Sequence, residues 1–132
     1  MVSRGHKYNL EALQALLAQV DGNLVGAVTY RIDGEQCEVM SLNATQPGGG
    51  IGTSLLWAVE NGARSSGCRR VWCITSNDNV EALKFYQRRG YRMVAVYPGA
   101  IDDARRLKPT IPVVGAHDIP IHDEIELSKT II

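Results

Sequence analysis

The sequence predicts a mixed α/β fold, a mostly antiparallel sheet flanked by helices. Three observations predict it. Two turn signals, Asp21-Gly22 and Asp33-Gly34, separate runs of alternating residues as in a meander. Two amphipathic helical stretches then alternate with short apolar runs. Alternation returns at Ile121 to Lys129, with Ile121, Ile125 and Leu127 on one side.

Taken in order, Met1 to Asn9 is polar and without a clear period. Leu10, Leu13, Leu16, Leu17 and Val20 recur at helical spacing. The strand-like run Leu24 to Tyr30 after Asp21-Gly22 nevertheless needs a partner, and Ala15 to Val20 is the nearest candidate. The reading is one helical turn near Leu10, then a strand. Gln36 to Leu42 is the third strand of the meander. Leu55, Leu56, Val59 and Ala63 share a helical face, and Gly67 is placed to end that helix. Val71 to Thr75 is a short, nearly continuous apolar strand of the kind covered on both faces. Asn77-Asp78-Asn79 supplies N-cap residues for a helix from Val80 to Arg89, closed by Gly90. Tyr91 to Tyr97 is another strand. Pro98, Pro109, Pro112 and Pro120 punctuate an irregular region with one short helix, Ile101 to Leu107. With 132 residues, the whole of 1–132 is expected to form one domain.

The stretch Gln46 to Ala58 joins the third strand to the first helix, and four glycines fill the joint. A helix N-terminus carries unpaired N–H donors and roughly half a positive charge, so it attracts phosphates. No Lys follows these glycines as a P-loop requires, and Thr53 stands where a dinucleotide fingerprint needs its third glycine. A tight turn without ligand is the simpler alternative.

Composition narrows the function classes. Forty-five percent hydrophobic and 21% charged residues fit an ordinary globular chain, and zero net charge gives no broad field for nucleic acid or an anionic membrane. No apolar run is long enough for a membrane span and no leader-like segment opens the chain, so a cytoplasmic location is the default expectation. Cys37, Cys68 and Cys73 lack metal-type spacing and read as reduced thiols, Cys73 as buried packing. His6, His117 and His122 do not suggest a metal site. Arg105-Arg106-Leu107-Lys108 reads as a solvated face.

With Gly50-Ile51-Gly52 opening a helix and Asn79-x-x-Ala82-x-x-Phe85-Tyr86-x-x-x-Gly90-Tyr91 downstream, the chain resembles the GCN5-related N-acetyltransferases (GNAT). One helix and one strand separate the two motifs, as in that family. The resemblance covers roughly Leu16 to Tyr97, and Ile121–Lys129 matches the family's final strand. It implies an acyl-CoA N-acyltransferase fold that binds acetyl-CoA, uses no metal, and transfers the acetyl group to a small-molecule or peptide amine. The pyrophosphate would lie on backbone N–H groups of Gly49, Gly50, Ile51, Gly52 and Thr53. The pantetheine arm would pair with backbone of Met40 and Leu42 like an added strand. Asn79 corresponds to the asparagine that contacts that arm, and Tyr86 to the general acid for the departing thiolate.

Direct attack on a thioester needs a neutral amine, a polarised carbonyl and a protonated leaving group. A backbone N–H on a bulged strand near Met40 can polarise the carbonyl. A tyrosine hydroxyl, with a pKa near ~10, donates to a thiolate without being ionised at neutral pH. Deprotonating an alkyl amine of pKa about 10.4 at about pH 7 costs about 4.6 kcal/mol, so a base helps. The family often places that base at the position of Glu38; Glu124, Glu126 and His122 are alternatives. The blander readings are Tyr86 as core, Glu38 as a solvated strand residue and Asn79 as a helix cap.

Two departures matter. Pro47 stands where the family has Gln or Arg. Only about twenty residues precede the first hairpin turn, too few for the family's usual first strand and two helices. The implied molecule is therefore a shortened acetyltransferase, its acceptor side open or completed by a second subunit in a homodimer that covers the exposed sheet edge. The rival is a non-catalytic CoA-binding or protein-interaction module on the same fold.

Overall fold

The computed structural model describes residues 2–3, 6–7, 13–46 and 48–132, the first two pairs by backbone alone. Their elements are β1 (Val2–Ser3), β2 (His6–Lys7), β3 (Gln14–Val20), β4 (Asn23–Asp33), β5 (Gln36–Ala44), α1 (Ile51–Ser65), β6 (Arg70–Ser76), α2 (Val80–Arg88), β7 (Arg92–Tyr97), α3 (Ala100–Leu107) and β8 (Glu124–Thr130). β1 and β2 pair with each other, and the main sheet has the order β3-β4-β5-β6-β8-β7. β3–β4, β4–β5 and β7–β8 are antiparallel, whereas β5–β6 is parallel. The mixed sheet and the helices expected from sequence are present.

Turn chemistry overrode helical periodicity at the first strand. Asp21 (φ 52°) and Gly22 (φ 79°) both adopt positive φ, as a type I′ turn requires. β3 consequently pairs with β4 from Gln14–Tyr30 to Val20–Asn23. The turn expected near Leu10 lies outside the described residues. The second hairpin closes on the Asp33–Gln36 pair, so its central residues are Gly34-Glu35, one later than Asp33-Gly34 suggested. Gly34 supplies the positive φ. The last strand begins at Glu124 and not at Ile121, because Val114–Pro120 forms its own bridge and Ile121 N–H bonds to Val113 O.

Residues group into two compact units: Met1–Leu10 with Ile74–Ser128, and Glu11–Cys73 with Lys129–Ile132. In the second, α1 packs on the meander through Leu55, Leu56, Val59 and Ala63, all buried. The close approach is made at Gly26 of β4, where a Cβ would lie 2.7 Å from Ile51 Cγ2 and 3.0 Å from Leu55 Cδ1. α1 stops at Gly67 (φ 86°): Gly67 N–H bonds to Arg64 O and Cys68 N–H to Ala63 O, the Schellman closure. Lys129 Nζ reaches both carboxylate oxygens of buried Glu60 on α1, at 3.2 and 3.3 Å. Cys37, Cys68 and Cys73 are buried, and none is in a disulfide.

In the first unit α2 closes in the same way, with Gly90 N–H on Gln87 O and Tyr91 N–H on Tyr86 O. Asn77 Oδ1 accepts from the N–H groups of His122 and Asp123, and its Nδ2 donates to Pro120 O. Asp78 ties the proline-punctuated loop to the start of α2: its carboxylate accepts from the Ser76 hydroxyl and, at 3.0 Å, from Ala116 N–H. Gly115 is required beside it, since a Cβ there would sit 2.1 Å from Asp78 Oδ2. Burial pushes the Asp78 carboxyl up, but the Ser76 and Ala116 bonds outweigh it and hold it below the usual range. A depressed carboxyl stabilises above its unfolded pKa, and that stability is lost as pH falls through the folded value. Asp78→Asn is therefore expected to cost about 1–3 kcal/mol at neutral pH and much less in acid, as read by thermal melts across pH.

Candidate active site

Gly48, Gly49 and Gly50 lead directly into α1. Gly48 (φ 87°) and Gly50 (φ 83°) hold left-handed backbone, and Gly50 is the N-cap. A residue with a Cβ would cost about 1–2 kcal/mol in that conformation. The N-cap is a glycine, with no side chain of its own to bond the first N–H groups, and no acidic residue lies in the first turn. The backbone of Gly50, Ile51, Gly52 and Thr53 thus presents the first N–H groups of a 15-residue helix. Gly49 differs from its neighbours: its N–H closes a turn on Gln46 O at 3.3 Å, so it is the weakest donor of the expected five.

On β5, the ladder with β4 runs from Thr29–Ser41 to Tyr30–Val39 and skips Met40. Met40 is therefore the extra residue of a β-bulge, at the position expected from sequence. Pairing of β5 with β6 runs from Gln36–Arg70 to Val39–Cys73, so it reaches the bulge and goes no further. Leu42 lies beyond it, paired with Val28.

Glu38 is 4% exposed, not the solvated strand residue that alternation alone suggested. It stands opposite Arg31 on β4 and Trp72 on β6. With Asp33 and Gln36 these residues line a cavity of about 190 Å³. Arg31, Asp33, Gln36 and Trp72 were not singled out from sequence. The signal was present as like-phased polar pairs, Arg31-x-Asp33 and Gln36-x-Glu38, on adjoining strands. Cys37, whose side chain lies on the other face, is pushed up to about 12 by burial, then by Cys68 and Glu38, and stays a thiol.

In the other unit, Asn79 caps α2, its Oδ1 accepting from Ala82 N–H at 3.1 Å. Tyr86 is 7% exposed and packs edge-on against Phe85 and Tyr91, each at 5.3 Å between ring centres. The alternative bases lie in this unit. Glu124 and Glu126 are both buried on β8, and Tyr97 Oη donates to Glu126 Oε1. His122 Nδ1 bonds to Asp102, and that bond, followed by the one from Arg105, holds the Asp102 carboxyl below its usual range. Among the described residues there is no cluster of His, Cys, Asp and Glu arranged for a metal ion, and no helix is long and apolar enough to cross a membrane.

Comparison with known proteins agrees with this fold. The family model described as the acetyltransferase (GNAT) family matches residues 3–91. Uncharacterized protein YdhI of Bacillus subtilis (strain 168) is 51% identical over 110 residues, 83% of this chain and 69% of that protein. Uncharacterized protein YxbD of the same organism is 38% identical over 130 residues, 98% of this chain and 82% of that protein. Among solved structures, a GNAT family acetyltransferase from Elizabethkingia anophelis with acetyl-CoA bound has a TM-score of 0.81 at 21% identity. It is matched over 92% of this chain and 78% of its own. A Bacillus subtilis acetyltransferase in complex with CoA gives 0.79 at 18% identity, over 93% of this chain and 80% of its own. At such identities the structures speak for the fold, while the family model and the closer sequences speak for descent. The chain belongs to the acetyltransferase (GNAT) family.

Proposed function

We propose that this protein is an acetyl-CoA-dependent N-acetyltransferase that moves the acetyl group to an amine by direct attack in a ternary complex. The observation that carries the reading is the glycine-capped N-terminal end of α1, entered through Gly48 and Gly50 at positive φ. Those main-chain N–H groups match a pyrophosphate in charge and geometry. Gly50, Ile51, Gly52 and Thr53, with a lesser share from Gly49, hold the pyrophosphate. Backbone of Met40 and Leu42 receives the pantetheine arm, and Asn79 contacts it while capping its helix. The bulge at Met40 turns an N–H out of the β4 ladder to polarise the thioester carbonyl.

In the reaction, Glu38 takes a proton from the acceptor ammonium and the neutral nitrogen attacks the carbonyl carbon. The C–N bond forms, the C–S bond breaks, Tyr86 gives its proton to the thiolate, and the second proton leaving the nitrogen restores the Tyr86 hydroxyl. No metal is needed for any of these steps. A homodimer covering the β3 edge is part of the proposal; among the described residues β3 pairs with β4 alone, and an open edge invites a partner.

The test is calorimetric titration with acetyl-CoA, followed by thioester consumption against an amine panel. Binding is expected, and at about 100 times the dissociation constant the cofactor should add about 2.7 kcal/mol to stability. Absence of heat with acetyl-CoA or CoA sinks the assignment. Binding without turnover on any amine leaves only the non-catalytic module.

A further inference from the structure

The cavity around Glu38 carries information about the acceptor. Two rows of side chains run across three strands on the face of the sheet away from α1. One is Arg31–Glu38–Trp72 and the other Asp33–Gln36–Arg70. Arg70 Nη1 donates to Gln36 Oε1 at 2.9 Å, and its guanidinium lies 5.3 Å from the Trp72 ring centre. The charged groups of the lining are Arg31 against Asp33 and Glu38, with Arg70 outside it, held on Gln36 and Trp72. The lining itself, with Arg31, Asp33 and Glu38, is one charge negative and suits an ammonium, and Arg70 beside it brings the group to zero and supplies a place for an anion. The result is alternation of sign over a short span. Glu38 and Arg70 are separated by one strand (about 4.8 Å) and two residues (about 6.6 Å), which puts their Cβ atoms about 8 Å apart. With the guanidinium held on Gln36 and over the Trp72 ring, that distance is one a small molecule can span from Arg70 to Glu38. At about 190 Å³ the cavity falls below the ~300–1,000 Å³ of pockets for larger ligands.

We propose that this cavity is the acceptor subsite and that its acceptor is a free amino acid, with the amino group at Glu38 and the carboxylate at Arg70. The inference rests on the acetyl-transfer reading above and names its substrate class. An arginine fork suits a carboxylate, pairing with both oxygens where a lysine would meet only one. A peptide N-terminus brings the amine without a nearby carboxylate, and a lysine side chain on a protein surface brings neither the right charge pair nor the right size. The cavity selects against both. Acetyl transfer then yields an N-acetylamino acid, CoA and one proton, with no other co-reactant.

The experiment compares the L-amino acids with their own carboxamides at saturating acetyl-CoA. At least one amino acid is expected to show kcat/KM about tenfold or more above its carboxamide. Arg70→Gln should raise KM for that acid by tens of fold and for the carboxamide much less, so that the preference collapses; Arg70→Lys should recover part of it. Carboxamides equal to the acids throughout, or an Arg70→Gln effect equal on both, overturns the proposal. Should Arg70→Gln melt early, the wild-type comparison of acid and carboxamide decides alone. Turnover of simple amines without preference for amino acids sinks this inference and leaves acetyl transfer standing. No heat with acetyl-CoA and no thioester consumption sinks acetyl transfer, and this inference with it.

Discussion

Tyr86→Phe is expected to lower kcat by about 100-fold or more while acetyl-CoA affinity stays within about threefold of wild type. The substitution removes one hydroxyl and keeps the ring. That ring is buried edge-on between Phe85 and Tyr91, so its packing and the course of α2 survive the change. What disappears is the proton donor for the departing thiolate. A general acid acts in the transition state and contributes little to ground-state binding, so the loss falls on kcat. Thioester consumption under saturating substrates measures it, with calorimetry as the binding control. Unchanged turnover in an active preparation would return Tyr86 to the core and leave the acid to another group.

The second large effect is at Gly26→Val. A Cβ at this position already meets Ile51 Cγ2, Leu55 Cδ1 and, at 3.0 Å, the main-chain oxygen of Asn43. The oxygen belongs to a paired strand and cannot yield cheaply, so α1 must lift. Overpacking of this kind costs about 1–3 kcal/mol, or several degrees in Tm for a chain of this size. The displaced part is the first turn of α1, whose N–H groups are the proposed pyrophosphate donors. Acetyl-CoA affinity should therefore fall by about tenfold or more, out of proportion to the stability loss. Gly26→Ala should show the same pattern, milder. A Gly26→Val protein that melts early yet binds acetyl-CoA at the wild-type affinity would separate helix seating from the site.

Much of this fold was legible because its turns are written in residues with few alternatives. Asp21-Gly22 fixed a hairpin against the helical period of Leu10 to Val20, since two consecutive positive-φ residues leave the chain little else to do. Gly67 and Gly90 announced both helix ends for the same reason. The glycine joint before α1 was readable as composition, whereas Asn79 and Tyr86 stood out through the family motif they resemble. The lining around Glu38 was harder to read. It is assembled from three strands, and no window of sequence holds Arg31, Glu38 and Trp72 together. Trp72 in particular sits in an apolar run that reads as core. Gly26 reads as an ordinary strand residue in sequence, although a glycine within a strand often marks a close backbone approach.

The single unmatched residue at Met40 also acts as a parity switch. Gly26 faces α1, and so do the alternate β4 residues Val28, Tyr30 and Ile32; their partners on β5 are Ala44, Leu42, Val39 and Cys37. Even numbers look toward the helix after the bulge and odd numbers before it. Delete Met40, and one half of β5 must rotate by half a pleat: either Glu38 turns into the hydrocarbon under α1 and Cys37 and Val39 come out, or Leu42 changes sides. The count of residues between the Gly34 turn and the glycine joint is thus as constrained as their identity, and a one-residue deletion there should be far worse tolerated than most substitutions.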